Sequence, residues 1–250
     1  MKKLNNNTDK TMAKAELLNN VDHKDLRVIT RRAAEYGDDT IIVSTFPSEF
    51  VHIQAHYPIV FRKTQEGLSF EAFALLGFVP GENLFLGPDG WTVNYVPLTI
   101  QRQPFLIGVS GEDLTVHVQL DSPRIATNPG EGEAVFLTHG SPTEFLERIN
   151  STLLAIHQGV QAMPAFISAL IQHELLEAFA VDVELEDGSK HRLDGFYTVN
   201  QDRLNKLSGA ALEQLQRAGY LQPIYMVIAS MVNFRDLIER KNRLHARRAA

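Results

Sequence analysis

Apolar positions along this chain change their spacing near residue 137. Before it, short β-rich runs alternate with turn residues, and the pattern predicts strands over residues 40–44, 59–62, 70–78, 93–96, 105–109 and 114–120. Pro80-Gly81 and Pro88-Asp89-Gly90 act as turns between runs, because proline presets φ and glycine accepts positive φ. After residue 137 the period becomes helical. Ser141-Pro142-Thr143-Glu144 reads as a helix start, with Ser141 as the cap, proline in the first helical position and Glu144 in the capping-box place. Phe145, Ile149, Leu153, Ile156, Val160 and Met163 then recur at three- and four-residue spacing, which makes one buried helical face. Gly159 and Pro164 are expected to kink or split this helix, with a second piece over 165–176.

A hairpin comes next, and its register follows from charge. A three-residue loop, Glu186-Asp187-Gly188 with glycine left-handed, sets Glu184 against Lys190 and Asp182 against Arg192 on one face and Val181 against Leu193 on the other. A two-residue loop would mix the faces. Helical pieces at 201–207, 210–218 and from 223 to about 240 complete the chain. The expected fold class is α+β. A mobile polar arm at 1–22 precedes one domain at 23–241, β-rich over about 23–136 and helical over about 137–241, and a basic tail occupies 242–250.

Composition narrows the chemistry. The chain has no cysteine, which removes disulfides, thiolate metal sites and thiol catalysis, so any metal must sit on His, Asp or Glu. A net charge of -6 argues against nucleic acid as a partner, since backbone binding relies on clustered cations. Arg240, Lys241, Arg243, Arg247 and Arg248 read as a solvated helix end whose cations suit the negative pole of the dipole. The amino-terminal stretch, with Lys2, Lys3 and many asparagines, lacks the apolar core of a secretory signal. Residues 149–173 carry no Asp, Glu, Lys or Arg, yet Asn150, His157, Gln158, Gln161 and Gln172 recur there around Gly159 and Pro164, so no transmembrane segment is expected. The expected location is cytoplasmic, with non-classical surface export left open.

The densest block is residues 46–61, with four phenylalanine and tyrosine rings, two histidines and two prolines. If Pro47 opens a helix that ends before Tyr57-Pro58, Glu49, His52 and His56 fall at i, i+3 and i+7 and share a face. Two imidazoles and a carboxylate are donors for non-haem iron or zinc. The competing expectation is a half-buried helix whose histidines pack beside Tyr57, with no cofactor. His173-Glu174-Leu175-Leu176-Glu177 begins like a zinc-protease helix but has Glu177 where the second histidine must stand, and His23-Lys24-Asp25 has an iron-oxygenase form at the edge of the arm. No Gly-rich phosphate cradle or G-x-S-x-G elbow occurs. Trp91, Tyr95 and Arg102 are the candidate ligand-binding residues, combining aromatic surface with a guanidinium that suits carboxylates, and the competing expectation for Trp91 is a core anchor.

Ordered blocks across residues 25–241 resemble the SapC family of bacterial surface-layer-associated proteins. They are FPSEF and HYPIVF within 46–61, ALLGF at 74–78, GENLFL at 81–86, GW and YVPL within 90–98, RQPFLIG at 102–108, DSPR at 121–124, DGSKHRLDGFYTV at 187–199 and the 219–241 segment. The resemblance is to the surface-layer-associated proteins and not to the peptide-transporter permease of the same name. It implies no agreed catalytic residues. It points to a non-enzymatic binding or accessory protein with a protein or peptide partner, linked to a surface layer or to outer-membrane receptors. The alternatives are a metal-dependent enzyme on Glu49, His52 and His56, and a self-assembling surface-layer component. Oligomeric state stays open.

Overall fold

A computed structural model describes residues 15–110, 113–128, 130–186 and 188–249. The fold is α+β. In chain order its elements begin with β1 (Ala15–Leu17), β2 (Arg27–Val28), β3 (Ile42–Thr45), α1 (Phe50–Ile53), β4 (Ile59–Lys63), β5 (Phe70–Leu75), β6 (Leu86–Gly87), β7 (Gly90–Trp91) and α2 (Leu98–Gln101). They continue with β8 (Phe105–Ser110), β9 (Asp113–Gln119), β10 (Glu133–Ala134), α3 (Glu144–Gln172), β11 (Leu176–Glu184), β12 (Lys190–Val199), α4 (Gln201–Asn205), α5 (Gly209–Arg217), α6 (Leu221–Ser230) and α7 (Asn233–Ala249).

Two compact units interleave in sequence, and their boundaries differ from the expected one at 136/137. The first takes the chain up to Arg31 with Gln101–Ala155, the second Arg32–Ile100 with the chain from Ile156 on. In the first, β1, β9 and β8 form an antiparallel sheet and β2 pairs with β10. Its core holds Val28, Phe105, Val118, Val135, Phe145, Leu146, Ile149 and Leu153. The arm expected over 1–22 is therefore structured from Ala15, which lies opposite Gln119; the rest of it lies outside the described residues. Leu18 N–H adds a bond to the Val116 carbonyl, 2.8 Å, so backbone pairing outweighs the polar composition here.

The second unit is built on an antiparallel sheet in the order β11-β12-β4-β5-β3. Ile59, Val60 and Phe61 of β4 are fully buried, which explains a strand that reads as a continuous apolar run rather than an alternating one. The hairpin has the charge-paired register: Glu184 opposes Lys190, Asp182 opposes Arg192 and Val181 opposes Leu193. Leu185 N–H bonds Ser189 O at 2.9 Å and Gly188 is left-handed at φ 80°, while Asp187 lies outside the described residues. Farther along, Asp194-Gly195 stand against Ala180 alone, and Gly195 at φ 77° absorbs the extra residue as a bulge.

Several helix boundaries depart from expectation. α3 starts at Glu144 because Ser141 and Pro142 are spent on strand-like contacts: Ser141 O accepts from Leu137 N–H and Pro142 bridges Phe136. Thr143 caps it, its Oγ1 accepting from Leu146 N–H at 3.3 Å. α3 is one continuous helix through Gly159 and Pro164, not two. By length and composition alone it would pass for a membrane span, its most apolar window having a mean hydropathy of 1.3; Phe166, Ile167 and Leu170 on it belong to the core. It stops at Gln172, where Leu175 N–H reaches back to Leu170 O and Glu174 turns left-handed at φ 52°. Residues 173–177 thus run from a helix end into β11, so they are no zinc-protease helix. The helix expected over 223–240 is two, α6 and α7.

The run at 93–96 is not a strand, because the backbone around it bonds to side chains: Tyr95 O accepts from the Tyr57 hydroxyl and Leu98 N–H donates to Glu49. Nor is the basic end of α7 simply solvated. Arg240 Nε bonds Asp236 at 2.7 Å and its guanidinium lies 4.5 Å over the Phe85 ring. Lys241 is 3% exposed and bonds the Glu82 carboxylate, whose other oxygen accepts from Phe78 N–H at 2.9 Å.

Two stability predictions follow from this packing. A Cβ on Gly159 would lie 2.0 Å from the buried Phe46 ring. Gly159→Ala, ordinarily stabilising in a helix, is expected to cost about 1–3 kcal/mol in chemical denaturation, and Phe46→Leu beside it to recover part of that loss. Lys241→Met leaves Glu82 buried without its cation and is expected to cost about 3–5 kcal/mol, whereas Glu82→Gln with Lys241→Met costs clearly less than that single change.

Candidate functional site

The block 46–61 folds as a turn, one turn of helix and a second turn leading into β4. Pro47 O accepts from Phe50 N–H and Glu49 O from both His52 and Ile53 N–H, so Phe50 and Ile53 point inward. Phe50 meets Phe166 edge-on at 6.1 Å. The helix ends before Tyr57-Pro58, since a residue preceding proline avoids helical backbone. This geometry turns Glu49 into the interior, where it is 1% exposed.

A buried carboxyl must find donors within the protein. Glu49 Oε2 accepts from the Thr45 hydroxyl at 2.7 Å, and Oε1 accepts from the Tyr95 hydroxyl at 3.0 Å and Leu98 N–H at 2.7 Å. One side chain thereby ties the end of β3 to α1 and to the segment entering α2. Burial pushes the Glu49 carboxyl above its usual range, more than these bonds and nearby His52 lower it.

A second chain of bonds runs alongside. Trp91 Nε1 donates to the Tyr57 hydroxyl at 2.7 Å, and that hydroxyl donates to Tyr95 O. Tyr57 also meets the Phe85 ring edge-on at 4.6 Å. Burial raises both phenols above their ordinary value, and for Tyr95 the neighbouring Glu49 adds to the effect. On the outer side the exposed His52 ring stacks on Tyr95, centroids 5.0 Å apart and planes 21° from parallel. The result is a fixed aromatic rim over a saturated carboxyl.

The candidate residues from the sequence divide accordingly. Glu49, His52 and Trp91 come together around Tyr95, which joins two of the three residues of each proposed cluster. His56 instead meets Tyr57 edge-on at 6.0 Å, and no group of three or more His, Asp or Glu arranged for a metal occurs among the described residues. Arg102 belongs to the first unit, where its Nη1 donates to Phe105 O at 2.7 Å, and burial lowers its pKa. His23, also in that unit, is buried, with Nδ1 accepting from Asn19 N–H at 3.2 Å, whereas Asp25 is 89% exposed. Sequence reasoning missed Thr45, Tyr57 and the Leu98 amide. The available signal was Glu49 itself, a lone acid among Phe46, Phe50, Val51 and Ile53 that had to be satisfied internally.

An α+β chain with a buried carboxyl hub beneath a rim of exposed His52 and half-buried Tyr95 and Trp91 is the class of protein these features define. The SapC family model matches residues 18–237, and the chain belongs to the SapC family. No curated protein and no solved structure gives a significant match.

The raised carboxyl has a definite pH signature. A folded-state pKa above the ordinary 4.5 means this group favours folding most below that value, and its contribution is lost as pH rises through the folded pKa. The stability advantage of the wild type over Glu49→Gln should therefore be largest in acid and shrink toward neutrality, as measured by urea unfolding across pH.

Proposed function

We propose that this SapC-family chain is a non-enzymatic binding or accessory protein whose contact surface is the rim formed by His52, Tyr95 and Trp91. The observation that carries the reading is that both oxygens of Glu49 are occupied by Thr45, Tyr95 and Leu98, so the acid acts as scaffold beneath the rim. Uncharged, exposed side chains extend the surface. Val51 is 44% exposed beside His52, and Val232 is 72% exposed next to Asn233, whose amide holds Gln54 O at 2.8 Å. A rim with aromatic anchors, beside which the Arg240 guanidinium bonds Thr92, suits a protein or peptide partner, since aromatic residues and arginine dominate contact energies. On this reading the protein serves a surface-layer or receptor-linked system, as the family resemblance implies.

Capture from native lysate with the full chain tests this. The wild type is expected to recover a defined partner whose affinity falls about 30-fold in His52→Ala, in keeping with a contact hot spot worth ~2 kcal/mol. Equal recovery by both proteins would overturn the reading. So would a stoichiometric transition metal, in protein purified without a nickel column, that disappears in His52→Ala; that result would favour metal-dependent chemistry on Glu49, His52 and His56.

A further inference from the structure

β11 forms one edge of the five-stranded sheet, and no strand among the described residues lies on its outer side. Edges of nine residues are ordinarily blunted by proline, charged side chains or bulges. Leu176-Glu177-Ala178-Phe179-Ala180-Val181-Asp182-Val183-Glu184 contains no proline or lysine, and the bulge opposite Ala180 lies on β12, so that β11 itself stays regular. Its three acids are each satisfied within the chain: Asp182 by Arg192 at 3.1 Å, Glu184 by Lys190 at 3.4 Å and Glu177 by Asn200 at 2.8 Å. The edge therefore presents little uncompensated charge.

Its hydrogen-bonding parity is set at both ends. Leu185 N–H bonds inward to Ser189 O at 2.9 Å, and Leu175 O accepts inward from Asn200 N–H at 2.8 Å. Odd residues thus face β12, and Leu176, Ala178, Ala180, Asp182 and Glu184 turn their backbone groups outward.

We propose that this edge pairs antiparallel with β11 of a second copy of the chain, about a two-fold axis through Ala180. That register uses the whole strand and sets outward-bonding residues directly opposite one another. Ala180 meets Ala180 of the second copy, Ala178 meets Asp182, Leu176 meets Glu184, Glu177 meets Val183 and Phe179 meets Val181. Every carboxylate opposes an uncharged residue, whereas an axis at Asp182 would oppose like charges, which is destabilising. Two sheets join into one continuous sheet through an isologous interface. The inference is independent of the rim around Glu49.

Sedimentation of the full chain over a concentration series is the test, with circular dichroism confirming that each variant is folded. A reversible dimer is expected. Ala180→Lys places lysine opposite lysine and should weaken dimerisation about fivefold, while Ala178→Lys, facing Asp182 of the second copy, should leave it equal or tighter. A monomer at every concentration overturns the proposal, as does a dimer to which both lysines do the same thing. Occupation of this edge by a strand from another protein, without self-association, overturns it as well.

Discussion

The burial of one carboxyl governs the arrangement of the site. Glu49 sits on a single turn of helix that cannot hold itself together by backbone bonds alone, because so short a helix forms few of them. What fixes it is the set of donors its side chain draws in: a hydroxyl from the end of β3, a phenol, and a backbone amide at the start of α2. Removing an acceptor from that position would leave Leu98 N–H and two hydroxyls unpaired in a low-dielectric setting. The rim of His52, Tyr95 and Trp91 keeps its shape for this reason.

The same economy recurs elsewhere in the second unit. Glu82 and Lys241 form a buried pair in which the second carboxylate oxygen holds Phe78 N–H, so a polar contact again fixes a backbone turn. Ser230 does this without charge, accepting from Ile59 N–H at 2.9 Å and donating to Val227 O at 2.6 Å, which ties α6 to β4. Apolar packing supplies the bulk of the driving force, and these few polar contacts select one arrangement of it.

Much of this was legible in the chain. Regular strands at β3, β4, β5, β8 and β9 followed from apolar runs between turns, and the hairpin register from the alternation of Asp182, Glu184, Lys190 and Arg192. Legibility failed where a distant side chain takes over a local signal. Residues 93–96 have strand-like composition, but Glu49 and Tyr57 claim the neighbouring backbone groups. Gly159 looks like a helix breaker until the Phe46 ring is seen against it, and the basic end of α7 looks solvated until Glu82 is placed beside Lys241. At the site, spacing set Glu49, His52 and His56 on one face, whereas Glu49 is buried, His52 is exposed against the Tyr95 ring and His56 meets Tyr57, since spacing does not say which side of a short helix is buried.

The central claim is that Glu49 is a desolvated scaffold and not a solvated or reactive acid. Carbon-13 NMR titration of its side-chain carboxyl, with Leu98 amide exchange followed in the same sample, tests this most directly. The account predicts a midpoint above the ordinary 4.5 and a protected Leu98 amide. A midpoint at or below that value, with Leu98 exchanging freely, would contradict it.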